Sequence, residues 1–337
     1  MTGLQIVDLG LLDAAQRDLS QEWLDVHLHA NEEIWGPGVD PQITLEQLRV
    51  ARRSPTLTRI ALAALDDGGR IAGSADVILP VRENTDTAGV WLSVRPDRWR
   101  QGIGTQLLDH VEELAAERGR TRMFEHSGAP VPDGDPASGF AVANGYELVL
   151  TDLRQEVTLP LPPETMERLT AAVGDPAYEV LTAWDELPED WLEERAHLAR
   201  RMSTDAPAGV DLEEEDWDAD RVREQWQRSR EMGRRSVESV VRHLGSGVLV
   251  AYSDLHVEEG RPEVGVQSAT LVLREHRGHR LGLAVKLANL RALQAELPAV
   301  TTIRTCNAET NTPMLAVNAA MGFQVVGWTK EWVKHLG

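Results

Sequence analysis

Two glycine-bearing stretches carry the clearest chemistry in the chain: VRPDRWRQGIGTQLL at residues 94–108 and VLREHRGHRLGLAVK at residues 272–286. In each, an apolar β-branched run enters a turn with glycines and leaves it in a segment of helical apolar spacing. Such a turn aims backbone N–H groups and the positive end of a helix dipole at one spot, and glycine permits close approach of a diphosphate. A second pair of matching signatures comes later in each half, AVANGYE around Gly145 and VNAAMGFQ around Gly322. Val94 pairs with Val272 and Gly104 with Gly282 at an offset of 178, and Gly145 with Gly322 at 177, so the chain contains an internal repeat.

Neither turn is a standard nucleotide loop. A P-loop needs G-x-x-x-x-G-K-[ST], which both lack; a Rossmann turn needs a third glycine, and Gly102-Ile103-Gly104 is followed by Gln106-Leu107. The elements around the turns also argue against both. Residues 21–35 and 43–53 have the spacing of amphipathic helices, residues 59–66, 70–81 and 87–94 read as an antiparallel meander, and residues 104–119 read as a helix ended by Gly119. The second half repeats that order: a strand at 178–184, helices at 188–202 and 218–235, strands at 236–243, 247–257 and 264–273, a helix at 282–297 and a strand at 301–308. A Pro-rich junction near residues 159–164 divides the halves.

The 337 residues suit two domains, and 42% hydrophobic with 26% charged residues lets each bury a core. A formal charge of −20 repels phosphate backbones and anionic lipid, so neither nucleic acid nor membrane is an expected partner, whereas a cationic ligand is welcome. The single Cys306 excludes an internal disulfide or thiolate cluster, and no metal site is expected. With no basic n-region in the first twenty residues and no apolar run long enough to span a bilayer, a cytoplasmic location is expected. The acidic stretch at 202–220 reads either as a solvated loop or as a lid whose carboxylates attract an ammonium group.

The turns resemble those of the GNAT acyltransferases (Gcn5-related N-acetyltransferases), which read R/Q-x-x-G-x-G/A after a strand ending V-x-P. Val94-Arg95-Pro96 and Gly102-Ile103-Gly104 match, with Trp99 in the leading position. In the second turn Arg277 leads and Gly282 closes, while Arg280 replaces the middle glycine and Arg274 the proline. The family's last helix starts near an asparagine and carries a tyrosine before Gly-Phe. Asn311, Met314, Gly322 and Phe323 fit, Asn307 lies on the preceding strand, and Asn318 occupies the tyrosine position; the first half has Gly134 and Ala141 at the corresponding places.

The resemblance implies an α/β (α+β) chain of two tandem GNAT acyl-CoA N-acyltransferase domains, each a mixed, mostly antiparallel sheet flanked by helices. Residues 1–160 would form a degenerate or non-catalytic domain and residues 161–337, which keep Arg277, Asn307 and Asn311, the catalytic one; similar tandem members occur in antibiotic pathways. It implies acetyl-CoA, held by Leu271, Val272, Leu273, Arg277, Gly278, His279, Arg280, Leu281, Gly282, Leu283, Asn307 and Asn311. A second candidate seat comprises Val94, Arg100, Gln101, Gly102, Ile103, Gly104 and Thr105. The implied reaction is direct attack, within a ternary complex, by the primary amine of a small molecule: an aminosugar, an amino-acid derivative or an antibiotic. Glu263, Asp254 and His256 are candidate bases, Glu263 first because family bases often precede the V-x-P strand, and Asn318 stands where a tyrosine often protonates the departing thiolate. The alternative is a non-catalytic acyl-CoA-binding or sensing protein. Asn307 and Asn311 also have a plainer use as helix caps.

Overall fold

Apolar strands and amphipathic helices recur in the same order in both halves, and the computed structural model, which describes residues 4–10, 17–39, 43–132, 134–205, 207 and 209–337, folds them into two units. The first half runs β1 (Gln5–Leu9), α1 (Arg17–Trp35), α2 (Leu45–Ala51), β2 (Leu57–Leu65), β3 (Ile71–Pro80), β4 (Thr87–Val94), α3 (Ile103–Glu117), β5 (Arg122–Ala129), α4 (Pro136–Ala143) and β6 (Glu147–Thr158). The second runs α5 (Pro163–Ala172), β7 (Tyr178–Trp184), α6 (Leu192–Asp205), α7 (Ala219–Glu231), β8 (Arg234–His243), β9 (Leu249–Glu258), β10 (Val264–Val272), α8 (Leu281–Glu296), β11 (Thr302–Ala308), α9 (Thr312–Met321) and β12 (Gln324–His335).

The N-terminal unit has strand order β1-β2-β3-β4-β5-β12 and the C-terminal unit β6-β11-β10-β9-β8-β7. Within each, one neighbouring pair is parallel, β4 with β5 and β10 with β11, and the other recorded pairs are antiparallel. These are the mixed sheets flanked by helices that the repeat implies. In the C-terminal unit α8 lays Leu283, Leu287, Leu290 and Leu293 on one face of the sheet, and Trp191, Leu198 and Trp226 of the α6–α7 layer cover the other. In the N-terminal unit α3 supplies Leu107, Leu108 and Val111 to one cluster, and α1 and α2 supply Trp23, Leu24 and Leu48 to another. Among the described residues no helix is long and apolar enough to cross a membrane.

The Pro-rich junction is not where the units part. They comprise Met1–Thr151 with Gly327–Gly337, and Asp152–Val326, so the divisions fall inside β6 and β12. Trp328–His335 pairs with β5 over eight residues, and Trp332 joins the first core. From Asp152 onward β6 pairs with β11. Proline and glycine mark a local break, whereas the sheet a strand joins is decided by cross-strand packing far away in sequence.

Truncation after Val326 removes the strand that covers β5 and leaves its backbone groups unpaired, which the buried sheet does not tolerate. Hydrogen exchange should show protection lost across β2 to β5 and kept across β8 to β11. A truncated chain that stays protected at β4 and β5 contradicts this account of the first unit.

Candidate functional site

Both turns are built on one backbone plan. After β10, Arg274–His276 form a 3-10 turn, Arg277 is extended, and α8 begins at Leu281. Gly278 and Arg280 have φ of +89° and +56°. At the offset of 178 their counterparts are Arg100 and Gly102, with φ of +62° and +79°. Each turn therefore needs two left-handed positions and has a glycine at one and an arginine at the other, the arginine costing about 1–2 kcal/mol. Arg280, which reads in sequence as a lost glycine, keeps the conformation of the glycine it replaces.

Trp99 is reconciled in the same way. The Arg277 Nε donates to the Val272 carbonyl at 3.2 Å, and the Trp99 indole N–H donates to the Val94 carbonyl at 2.7 Å. Each closes the last carbonyl of its strand. From Gly278 to Leu283, and from Arg100 to Thr105, the N–H groups take no backbone partner among the described residues, so both turns present the donors of an anion seat.

The side chains around the seats differ. Arg274 and Arg277 lie 3.2 and 3.6 Å from the buried carboxylate of Asp205, which Arg201 also reaches at 2.5 Å. Arg277 remains 51% exposed, so its charge is available beside the turn. His279 meets Asp175 at 2.7 Å, and Arg280 donates to the Ala172 carbonyl. A Cβ on Gly282 would meet nothing nearer than 3.7 Å, whereas one on Gly104 would lie 3.4 Å from the Phe140 ring. In the C-terminal unit Val317 stands at the place of Phe140 and borders a cavity of about 350 Å³ shared by Arg280, Leu283 and α5.

Beside each seat the parallel strands part. β10 and β11 pair only from Val264↔Thr302 to Val266↔Arg304, and β4 and β5 from Thr87↔Arg122 to Val90↔Glu125. Beyond those pairs the facing edges have no mutual ladder. Of the expected cofactor contacts on β10, the Leu273 N–H is spent on Val250 and the Val272 carbonyl on Arg277, and the Leu271 side chain is buried toward α6 and α7.

Asn318 is wholly buried on α9. It accepts from Lys286 Nζ at 2.5 Å and donates to Gln155 and Asn307 at 2.8 Å each. Asn311 caps α9, accepting from the Met314 N–H at 3.3 Å. In the first unit Asp135, one residue past the expected Gly134, caps α4 and accepts from the Ala137 N–H at 2.9 Å. Burial pushes the Lys286 ammonium down to about 7. Sequence reasoning does not single out Lys286, although a lysine inside the apolar run of α8 is a visible signal. Its counterpart in the first unit is the buried Leu108, opposite Ala141.

The face of the C-terminal sheet under α6 and α7 holds a cavity of about 440 Å³. Glu238 and Asp254 lie directly opposite each other in the β8–β9 register and both line it. The β10 register shifts between Gln267 and Thr270, and the Ala269 N–H freed by that bulge donates to Asp254 Oδ1 at 3.0 Å. Burial raises the pKa of Asp254, opposed by the Arg195 charge and the Ala269 hydrogen bond. Burial also raises Glu238, offset by Arg195, whose Nε donates to it at 2.5 Å. His256 lines the same cavity, but burial first and Arg234 second lower it to about 3, so it stays uncharged.

Glu263 is not brought there. It precedes β10 at the end where β10 and β11 still pair, 53% exposed and 3.3 Å from Arg261, while its carbonyl binds Thr301 and Thr302. Glu238 escapes sequence reasoning, although a lone carboxylate within the apolar strand residues 236–243 is unusual enough to flag.

The equivalent of Asp254 in the first unit, at the offset of 178, is Asp76. It is 1% exposed and held by Arg52 and Arg59 at 2.7 Å each. One carboxylate is locked by two guanidinium groups; the other lines a cavity and makes no ion pair with an arginine among the described residues.

Known proteins are similar to this chain in sequence over part of its length and in fold over all of it. Residues 15–141 match the family model described as "Acetyltransferase (GNAT) family". Among solved structures the chain is similar to a tandem GNAT protein from the clavulanic acid biosynthesis pathway, at 27% identity and a TM-score of 0.79, with 99% of each chain covered. It shares the fold of a GCN5-related N-acetyltransferase from Sphaerobacter thermophilus at 17% identity and a TM-score of 0.65, covering 99% of this chain and 96% of that one. A putative acetyltransferase from Pyrococcus horikoshii is similar at 11% identity and a TM-score of 0.59, with 99% and 90% covered. No curated protein sequence matches the chain. Residues 15–141 thus match the acetyltransferase (GNAT) family by sequence, and the whole chain shares the fold of a tandem GNAT protein.

Proposed function

We propose that the chain transfers an acetyl group from acetyl-CoA to the primary amine of a small molecule, and that the C-terminal unit does the work. The family match falls on the N-terminal stretch, whose turn keeps both glycines of its motif. The assignment rests instead on Asp254, which faces a cavity in one unit while Asp76 is closed off by Arg52 and Arg59 in the other.

The residues fit acetyl-CoA. The N–H groups of the Gly278–Leu283 turn with Arg277 suit a diphosphate, the parting of β10 and β11 leaves strand edges for the amides of the pantetheine arm, and the cavity beside Arg280 has room for a nucleoside. Acetyl-CoA supplies the activated acyl group as a thioester. Asp254 takes a proton from the incoming ammonium, a task for which a carboxylate with a raised pKa is suited. Glu238 lies beside Asp254 on the same face of the sheet and holds Arg195 in an ion pair at 2.5 Å, which leaves Asp254 as the carboxylate without an arginine partner. As the nitrogen–carbon bond forms the carbon–sulfur bond breaks; one ammonium proton leaves through Asp254, and a second ends on the coenzyme A sulfur.

One observation favours a second reading, an acyl-CoA-binding protein without turnover: Asn318, in the tyrosine position, has no proton to give near neutral pH and is fully committed to Lys286, Gln155 and Asn307. Thiol release on adding amines to the acetyl-CoA complex separates the two, since binding without amine-dependent release over a broad panel sinks the enzyme reading.

Asp254→Asn should lower kcat/KM at neutral pH by about 100-fold or more, with acetyl-CoA affinity unchanged in calorimetry. The base must be unprotonated, so wild-type activity is lost as pH falls through the raised pKa of Asp254, above the usual carboxylate range. An Asp254→Asn enzyme that keeps that acid limb and its rate removes Asp254 from the reaction.

Gly282→Ala fits the fold, because the added Cβ makes only ordinary contacts. It should raise the Kd for acetyl-CoA about tenfold or more by crowding the diphosphate, while Gly104→Ala leaves it nearly unchanged. The reverse order in calorimetry would move the cofactor to the N-terminal unit.

A further inference from the structure

Three polar side chains lead from the core of α8 to the gap between β10 and β11. Lys286 is 2% exposed, and its ammonium meets no carboxylate among the described residues: it donates to Asn318 Oδ1 at 2.5 Å, with the Met314 sulfur at 4.0 Å and the Phe323 ring centroid at 5.3 Å. An ammonium can only donate, so the Asn318 carbonyl is turned toward it and the Asn318 N–H groups are turned away, onto Gln155 Oε1 and Asn307 Oδ1 at 2.8 Å each. The Asn307 carbonyl is thereby taken, and its own Nδ2, which has no partner among the described residues, is the group left to face outward. Asn307 lies on β11 past the Val266↔Arg304 pair where the contact with β10 ends, and alternation puts its side chain on the α8 face with Ile303. Continued by three residues, that register would set Asn307 across from Ala269, whose N–H donates to Asp254.

We infer that Lys286 is a positioning residue for the departing sulfur: through Asn318 it directs an Asn307 N–H into the gap, where that N–H donates to coenzyme A as its carbon–sulfur bond breaks. The inference rests on the acyltransferase reading, with the thioester at the level of Asn307 and Asp254. The electron pair of the broken bond stays on sulfur, and the hydrogen bond from Asn307 strengthens as that charge develops, so it lowers the barrier without tightening ground-state binding. Each N–H···O link is polarised by the one behind it, and a charge at the inner end makes the last donor stronger. No proton passes along the amides; the second ammonium proton of the substrate still ends on the sulfur. Without the ammonium the two amides can turn over together and present the Asn307 carbonyl to a sulfur that is becoming negative. A buried lysine without a counter-charge costs stability, which the first unit avoids with Leu108 and Ala141 at the corresponding places.

The test follows free thiol released by the full-length protein from acetyl-CoA with a panel of primary amines, and measures acetyl-CoA affinity by calorimetry. Lys286→Met, which keeps the length of the side chain and loses its charge, should lower kcat about tenfold and change the Kd for acetyl-CoA by less than about twofold. Asn307→Ala should lower kcat about tenfold or more. Because the two residues act in series, the double variant should lose no more than Asn307→Ala alone. Lys286→Gln keeps an N–H for Asn318 and covers the case in which the methionine variant fails to fold; its kcat should fall about threefold with its cooperative unfolding transition intact. Losses that multiply in the double variant, an unchanged kcat in Lys286→Met and Lys286→Gln, or a loss of acetyl-CoA affinity as large as the loss of kcat overturns the role of Lys286 and leaves acyl transfer standing. No thiol release by the unaltered protein with any of the amines overturns the acyltransferase reading, and this role with it.

Discussion

The parallel contact between β10 and β11 holds for three residue pairs and then lets go, and the parts of the candidate site are arranged about that parting. Two strands inside a domain that stop pairing leave amide and carbonyl groups that need other partners. Two carbonyls on the β10 side are already taken, Val272 by Arg277 of the following turn and Gln267 by Thr305 Oγ of the facing strand β11. The bulge in β10 comes at the same place and turns the Ala269 N–H toward Asp254. Helix α8 starts at the mouth of the gap, so its free N–H groups and the gap are one feature rather than two. The proposed acyl donor, with a diphosphate at one end and amides along its arm, suits the groups that remain, the free N–H groups of the α8 turn among them.

The two copies keep this frame and differ in what they put around it. In the N-terminal unit Phe140 lies on Gly104, Leu108 and Ala141 fill the space of Lys286 and Asn318 with apolar atoms, and two arginines neutralise Asp76. Each change replaces something reactive or open with something packed. In the C-terminal unit the corresponding places hold Val317, a buried amine with a lowered pKa, and a carboxylate with a raised one. Burying ionisable groups costs stability unless they are paired. The C-terminal unit carries that cost at Lys286 and Asp254, whereas at the corresponding places the N-terminal unit has Leu108 and an Asp76 paired with two arginines. That contrast separates the two copies more sharply than their glycine motifs do, since by motif alone the N-terminal turn is the better match.

The repeat, the element order and both turns are legible in the sequence, because backbone chemistry at a turn depends on a few adjacent residues. Arg280 and Trp99 look like losses only when residue type is compared and not φ or hydrogen-bond role; the left-handed backbone and the capped strand carbonyl survive both substitutions. The placement of the candidate bases is not legible for a different reason. Glu263 and Glu238 sit on separate elements of the unit, and only the β8–β9 register shows which of them faces Asp254. Strand membership escapes for the same cause: nothing local to residues 327–337 says that they complete a sheet begun more than two hundred residues earlier. Lys286 and Glu238 are visible in the sequence as charges inside apolar runs, and their partners are not.

The most direct test of acyl transfer in the C-terminal unit is a crystal structure of the full-length protein grown with acetyl-CoA. The diphosphate should lie on the N–H groups of the Gly278–Leu283 turn, the pantetheine arm between β10 and β11, and the thioester should reach the cavity lined by Asp254. Cofactor bound at the Arg100–Thr105 turn alone, with the C-terminal turn empty, would contradict it.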